Sequence, residues 1–153
     1  MRTWAIPWLA LALLVFPVVA RGAEAKSDSA TLCTKTPKAE IRQGPGREFP
    51  VKYLAPVHMA FLLMERKGSW LQIRDVDGQL LWVHRSLVRE RDRCITINAD
   101  DVNMRWKPDR YAGVMFKTDR YASFRVVESR GDWLGVRYYE LTVWVHRSLV
   151  WPD

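Results

Sequence analysis

The stretch "WVHRSLV" stands at residues 82–88 and again, letter for letter, at residues 144–150. Seven identical residues recurring within a chain of 153 point to a duplicated unit. Working backwards, "GSWL" at 68–71 meets "GDWL" at 131–134, an offset of 63. That offset holds without a gap from Ile41 to Arg74, with Arg42/Arg105, Arg47/Arg110, Val51/Val114, Phe61/Phe124 and Glu65/Glu128 as matched pairs. One residue is then lost in the second copy, between Arg137 and Trp144, where the first copy reads "DVDGQLL". A hairpin tip is where a chain tolerates a change of length.

The duplication sets the organisation. Two units are expected at residues 33–88 and 94–153, joined by the charged linker "RERDR" at 89–93 and preceded by a short segment at 26–32. Inside each unit the apolar residues come in short runs, "AFLLME", "SWLQIR" and "LLWVH" in the first and "SFRVVE", "DWLGVR" and "TVWVH" in the second. Gly-containing turns divide them, and Asp77-Gly78 is the strongest hairpin signal. Neither unit has a useful stretch of helical periodicity, so the fold class is all-β. Five short strands closing on themselves in each unit would hide most of the sheet edges.

Three motifs recur in order in both units: "EIRQGPG", "GSWLQI" and "LWVHRSLV" in the first, "VNMRWKPD", "GDWLGV" and "VWVHRSLV" in the second. Each unit thereby resembles a bacterial SH3-like domain, which implies two tandem small SH3-like β-barrels. In the related eukaryotic domains the corresponding segments line a peptide groove. Carried over, that resemblance implies Trp70, His84 and Leu87 in one copy and Trp133, His146 and Leu149 in the other. Leu and His replace the groove's tyrosine and proline, which argues against a proline-rich ligand. The glycine that usually precedes the closing tryptophan is Leu81 in one copy and Val143 in the other. Strand alternation makes Val83 a core residue, with Trp82 and His84 on the opposite face.

The first 25 residues read differently. Arg2 is followed by an almost uncharged apolar run from Trp4 to Ala20 and then by small residues, the layout of a cleaved secretory signal peptide. Cleavage between residues 20 and 25 would make the chain a secreted protein, in the periplasm of a Gram-negative cell. Two cysteines, Cys33 and Cys94, enter the two units at similar places, just ahead of the first strand of each. In an exported chain they read as one disulfide rather than as a thiol nucleophile.

The whole chain carries 24 Lys and Arg against 17 Asp and Glu, a formal charge of +7. Residues 33–93 hold 12 basic against 7 acidic residues, and 94–153 hold 9 against 8, so the excess lies in the first unit. A basic surface suits an acidic polymer, and nucleic acid is set aside for an exported chain. No catalytic constellation stands out. The three histidines are His58, His84 and His146, zinc-ligand spacing is missing and no Gly-rich phosphate loop occurs, so no cofactor or metal is expected.

Binding is the remaining class. Beyond Trp70, His84, Trp133 and His146, the candidates are aromatics that differ between the copies: Phe49 and Tyr53 in the first, Trp106, Tyr111, Tyr138 and Tyr139 in the second. Trp106 replaces Gln43, and Tyr138 replaces Asp75. Large aromatics not demanded by the shared fold mark either a ligand site or a contact between the units. Two partners fit: cell-wall (peptidoglycan) peptide or glycan, as the resemblance implies, or a periplasmic protein that covers the aromatic surface.

Overall fold

The computed structural model describes residues 30–153, and the signal-peptide expectation lies outside them. Two seven-stranded antiparallel sheets fill this span, one for each sequence unit. The first comprises β1 (Thr31–Thr34), β2 (Ala39–Arg42), β3 (Val51–Ala55), β4 (Ala60–Lys67), β5 (Trp70–Arg74), β6 (Leu80–His84) and β7 (Val88–Arg89). The second comprises β8 (Cys94–Ile97), β9 (Val102–Arg105), β10 (Val114–Thr118), β11 (Ser123–Arg130), β12 (Trp133–Tyr138), β13 (Leu141–His146) and β14 (Val150–Trp151). Strand order is β3-β2-β6-β5-β4-β1-β7 in one and β10-β9-β13-β12-β11-β8-β14 in the other, the same path twice. The fold is therefore all-β, two tandem SH3-like barrels, here barrel 1 and barrel 2.

Seven strands replace the five expected. The additional pair in each barrel is the entry strand, β1 or β8, and the two-residue closing strand after the 3₁₀ turn, β7 or β14. Four-residue and two-residue strands leave too short a periodic signal to read, and pairing with each other and with β4 or β11 makes them strands. The cysteines are corrected with them: Cys33 lies within β1 and Cys94 opens β8, rather than preceding the first strand.

Each eight-residue strand bends to serve two neighbours. The start of β4 pairs with β1 and its end with β5, and the register slips between Leu63 and Glu65. The matching slip in β11 falls between Val126 and Glu128. A bulge increases local twist, which lets one long strand turn the corner of a small barrel. Backbone exceptions are duplicated as well. Positive φ angles occur at Lys38 and Asp101 (62° and 54°), His58 and Tyr121 (65° and 74°), and Gly68 and Gly131 (58° and 55°), all matched pairs. At the last pair the tight β4–β5 and β11–β12 turns require the left-handed conformation that glycine adopts without steric cost.

The core of barrel 1 gathers Leu32, Ile41, Phe61, Leu71, Ile73, Leu81 and Val83, and that of barrel 2 Ile95, Ile97, Met104, Leu134, Val136, Val143 and Val145. Alternation in β5 and β6 sends Leu71, Ile73, Leu81 and Val83 inward. Leu81 and Val143, which stand in place of the usual glycine, are buried core residues and add apolar cover.

The barrels are joined by more than the linker. Cys33 and Cys94 form a disulfide with Cα atoms 5.9 Å apart, buried against Ala60 and Trp151. The backbone N–H of Ala60 in β4 donates to the Thr96 hydroxyl in β8 (3.0 Å), a bond between the two sheets. At the tip of the β5–β6 hairpin Asp77 accepts from Arg120 (2.5 Å) and from the Tyr121 hydroxyl (3.1 Å), both in barrel 2. The linker is pinned too, because Arg66 makes a two-pronged ion pair with Glu90, both bonds at 2.8 Å.

Candidate functional site

Within each barrel the repeated heptapeptide and the "G-x-W" motif converge in space. Trp70 opens β5, directly across the ladder from His84 at the end of β6, and Trp133 faces His146 in the same way. The imidazoles meet the indoles edge-on, with centroids 5.2 and 5.3 Å apart and interplanar angles of 78° and 89°. Immediately after each histidine the chain enters a one-turn 3₁₀ helix, Arg85–Leu87 or Arg147–Leu149. The histidine caps it: Nδ1 of His84 accepts from the Ser86 backbone N–H (3.3 Å) and lies 2.7 Å from the Ser86 hydroxyl. His146 and Ser148 repeat this at 3.3 and 2.8 Å.

That cap has a chemical consequence. A backbone N–H can only donate, so Nδ1 is the acceptor and the proton of the neutral ring sits on Nε2. Neither Nε2–H has a partner among the described residues. Two equivalent grooves thus carry an outward-facing apolar-and-donor surface. One, of about 360 Å³, is lined by Glu40, Arg42, Arg47, Trp70, His84 and Leu87. The other, of about 270 Å³, is lined by Asn103, Arg105, Arg110, Trp133, His146 and Leu149, with Asp100 and Asp101 at its edge. The structure brings Trp70, His84 and Leu87 together in one groove and Trp133, His146 and Leu149 in the other.

Each groove also holds two arginines, Arg42 and Arg47 or Arg105 and Arg110, which are matched pairs in the repeat but absent from the sequence-based site candidates. Arg42 Nη1 donates to the carbonyls of Phe49 (2.6 Å) and Arg47 (3.0 Å), and Arg105 Nη1 donates to the carbonyl of Ala112 (2.6 Å). Phe49 and Ala112 are equivalent, so this arginine braces the β2–β3 or β9–β10 loop that walls each groove. Arg47 and Arg110 stand on those loops and face the grooves. A pair of identical basic residues at fixed offset, one on a strand and one five residues on in its loop, was the available signal.

The grooves are not alike in charge. Glu40 pairs with Arg42 in groove 1, at 2.5 Å, and Asn103 takes its place in groove 2. The Asn103 Oδ1 is buried without a partner among the described residues. Arg110 is engaged by Tyr111, its guanidinium 4.6 Å from the ring centroid and hydrogen-bonded to the hydroxyl, while no side-chain bond holds Arg47 among the described residues.

The copy-specific aromatics separate into three places. Trp106 and Tyr111 sit on the β9–β10 loop, 51% and 79% exposed, with Trp106 resting beside Gly113. Phe49 lies on the matching loop directly over Gly44, where a Cβ would clash with its ring. Tyr138 is half-buried against the barrel 2 core and stacks on Phe116 at 4.4 Å, while Tyr139 stands 81% exposed at the tip of the two-residue β12–β13 turn. Tyr53 occupies the position of Phe116 and donates to Asp75 Oδ2 (3.1 Å). Burial, then the Asp75 charge, push its phenol far above the ordinary value, so it stays a neutral donor. None of the copy-specific aromatics, Phe49, Tyr53, Trp106, Tyr111, Tyr138 and Tyr139, is among the residues lining either groove.

Among the described residues no three His, Cys, Asp or Glu side chains gather as metal ligands, and no helix is long and apolar enough to cross a membrane. His58 stands apart from both grooves. Burial, reinforced by Arg125, lowers its pKa and favours the neutral ring.

Comparison with known families finds a match to the bacterial SH3 domain at residues 35–90 and again at 98–152. No curated protein sequence matches the chain. Among solved structures, NlpC2 from Trichomonas vaginalis is similar at 8% identity and a TM-score of 0.36, over 82% of this chain and 48% of that one. NlpC1 from Trichomonas vaginalis is similar at 7% identity and a TM-score of 0.37, over 91% of this chain and 51% of that one. The chain spans about half the length of these structures.

Proposed function

The chain belongs to the bacterial SH3 domain family, and from that premise we propose that it is an exported, non-catalytic tandem module that binds cell-wall peptide through its two grooves. The observation that carries the reading is the duplicated groove itself. Both barrels retain the tryptophan, the capped histidine with its free Nε2–H, the leucine and two arginines, although most surface residues between them differ. Of these, the histidine caps the 3₁₀ turn, one arginine braces a loop and the leucine packs against the core of its barrel. The indole surface, the Nε2–H and, in barrel 1, the unengaged Arg47 remain for a ligand.

The chemistry selects the ligand class. An indole surface with imidazole and guanidinium donors suits an extended peptide that offers carbonyl oxygens and a carboxylate. A short peptide rich in small residues fits a groove of this size better than a polyproline helix does, since leucine stands where a second aromatic ridge would be needed. Peptidoglycan stem peptide has these features. Two grooves on one docked pair would bind a polymer with effective concentration in place of high single-site affinity.

Two further observations support export and the absence of catalysis. A buried disulfide persists in oxidising compartments outside the cytoplasm, in keeping with the N-terminal sequence. Both cysteines are tied in that bond, and His84 and His146 are each committed to a cap in separate barrels.

The test is co-sedimentation of the purified protein with washed sacculi, set beside a pull-down from periplasmic extract. Wild type should pellet with sacculi, Trp70→Ala or Trp133→Ala should weaken it severalfold, and the double variant should remain in the supernatant. Capture of one stoichiometric protein partner by the same surface, without pelleting, would replace this reading with an assembly role.

A further inference from the structure

The two barrels differ most sharply at one matched pair of positions. Barrel 2 stacks Phe116 on Tyr138, whereas barrel 1 hydrogen-bonds Tyr53 to Asp75. Beside that polar pair opens a crevice of about 370 Å³, walled by Leu54, Pro56 and Met59 and bordered on the other side by Tyr121 of barrel 2. It is separate from both grooves.

Asp75 is only 2% exposed. Its Oδ1 accepts from the backbone N–H groups of Asp77 (3.1 Å) and Gln79 (2.8 Å), and its Oδ2 from the Tyr53 hydroxyl (3.1 Å). Among the described residues no cation pairs with it. A buried carboxylate without a counter-charge is costly even when hydrogen-bonded, so a cation arriving beside it gains more than it would in water.

Apart from the Gln79 side-chain amide at the rim, the donors around the crevice are already committed. Tyr53 gives its phenol hydrogen to Asp75, and Tyr121 gives its own to Asp77 Oδ2 (3.1 Å). Arg120 donates to Asp77 and to the Asn98 carbonyl (2.6 Å). What remains open at the charged end is acceptor capacity: the lone pairs of Asp75 Oδ2 and of the two phenol oxygens. Gln79 adds a neutral carboxamide at the rim, which can also accept. A surface of acceptors beside an aliphatic wall and two tyrosine rings selects a group that only donates, on an apolar stem.

We propose that this crevice binds a protonated primary amine on an aliphatic chain, with the ammonium at Asp75 and Tyr53 and the stem along Leu54, Pro56 and Met59. Because Tyr121 comes from barrel 2, the site is complete only in the docked pair. It stands whether or not the two grooves bind cell-wall peptide.

The experiment is titration of the full chain with n-pentylamine, and with 1-pentanol as the neutral control, followed by NMR shifts of the tyrosine and methionine signals. Saturable one-to-one binding of the amine is expected, with shifts at Tyr53, Met59 and Tyr121 and at least tenfold weaker binding of the alcohol. Asp75→Asn should reduce amine affinity at least tenfold. Should that variant not fold, Tyr53→Phe keeps the ring that barrel 2 has at this position and should weaken amine binding severalfold, since it removes one acceptor. Equal binding of amine and alcohol, shifts confined to other regions, no saturable binding, or full affinity in the folded variants would overturn the assignment.

Discussion

Replacing Cys33 and Cys94 together by alanine perturbs the joint on which the paired-barrel account depends. The disulfide spans 61 residues, which encloses the whole of barrel 1. Restricting the unfolded chain by a loop of that length is worth about 4 kcal/mol in the chain-entropy model. Both cysteines are buried, packed with Ala60 and Trp151, so loss of two sulfur atoms leaves a cavity that adds about 1 kcal/mol. Against a total stability of roughly 5–15 kcal/mol for a domain-sized protein, the variant loses a large fraction of its margin. Guanidinium unfolding followed by tryptophan fluorescence and by far-UV circular dichroism measures this directly. The expected result is a marked fall in midpoint, with barrel 1 melting first because it is the enclosed loop. A loss below about 1 kcal/mol with coincident single transitions would refute the reasoning, since the closed loop would then contribute nothing.

Three smaller tests address other parts of the structure. Val83→Ala and Val145→Ala each empty a fully buried site at equivalent places in the two cores, and each should cost about 2 kcal/mol in denaturant unfolding. Tyr138→Ala should destabilise barrel 2 by about 2 kcal/mol because its ring stacks on Phe116 and covers the core, whereas Trp106→Ala should leave the melting temperature within a degree or so of wild type; equal effects would mean that exposure misreports their roles. Hydrogen bonds from Arg120, helped by Tyr121, hold the Asp77 carboxyl below its ordinary value of 3.8. A depressed folded pKa means that the clamp is intact above 3.8 and is lost as pH falls through the folded value. NMR shifts of Tyr121 should therefore be flat from neutral pH down to about 4 and change below it, while Asp77→Asn should show no such step; release of the wild-type clamp at a pH of about 6 would contradict the assignment.

The repeated heptapeptide reveals the duplication, and the short apolar runs, turns and recurring motifs around it carry the fold class. The heptapeptide's alternation makes Val83 a core residue, and Val83 and its counterpart Val145 are both fully buried, whereas the 3₁₀ turn and the two-residue strand after it leave no such signal. The entry strands were not legible, because "TLCT" and "CITI" are four-residue runs whose strand character comes from pairing with β4 and β11. Four groove residues, Trp70, His84, Trp133 and His146, are legible as repeated positions that the family resemblance singles out. The two arginines of each groove repeat equally well, but a strand arginine gives no sign that its guanidinium will brace a loop carbonyl. The copy-specific aromatics were the least readable. Tyr138 and Tyr139 are adjacent in sequence, and a two-residue turn sends one onto the core and the other into solvent. The polar alternative at the same place, Tyr53 with Asp75, becomes visible only when the two barrels are superposed position by position.

The central claim, that the twin grooves are the working surface, is tested most directly by NMR titration of the full chain with soluble muramyl-peptide fragments. The Trp70 and Trp133 indole N–H signals and the His84 and His146 Nε2–H signals report on the two grooves independently. The account predicts that both sets move and saturate, with Arg47→Ala weakening the response in groove 1 alone. Shifts confined to Tyr139, Leu141 and their neighbours on the exposed end of barrel 2, with both grooves silent, would contradict it.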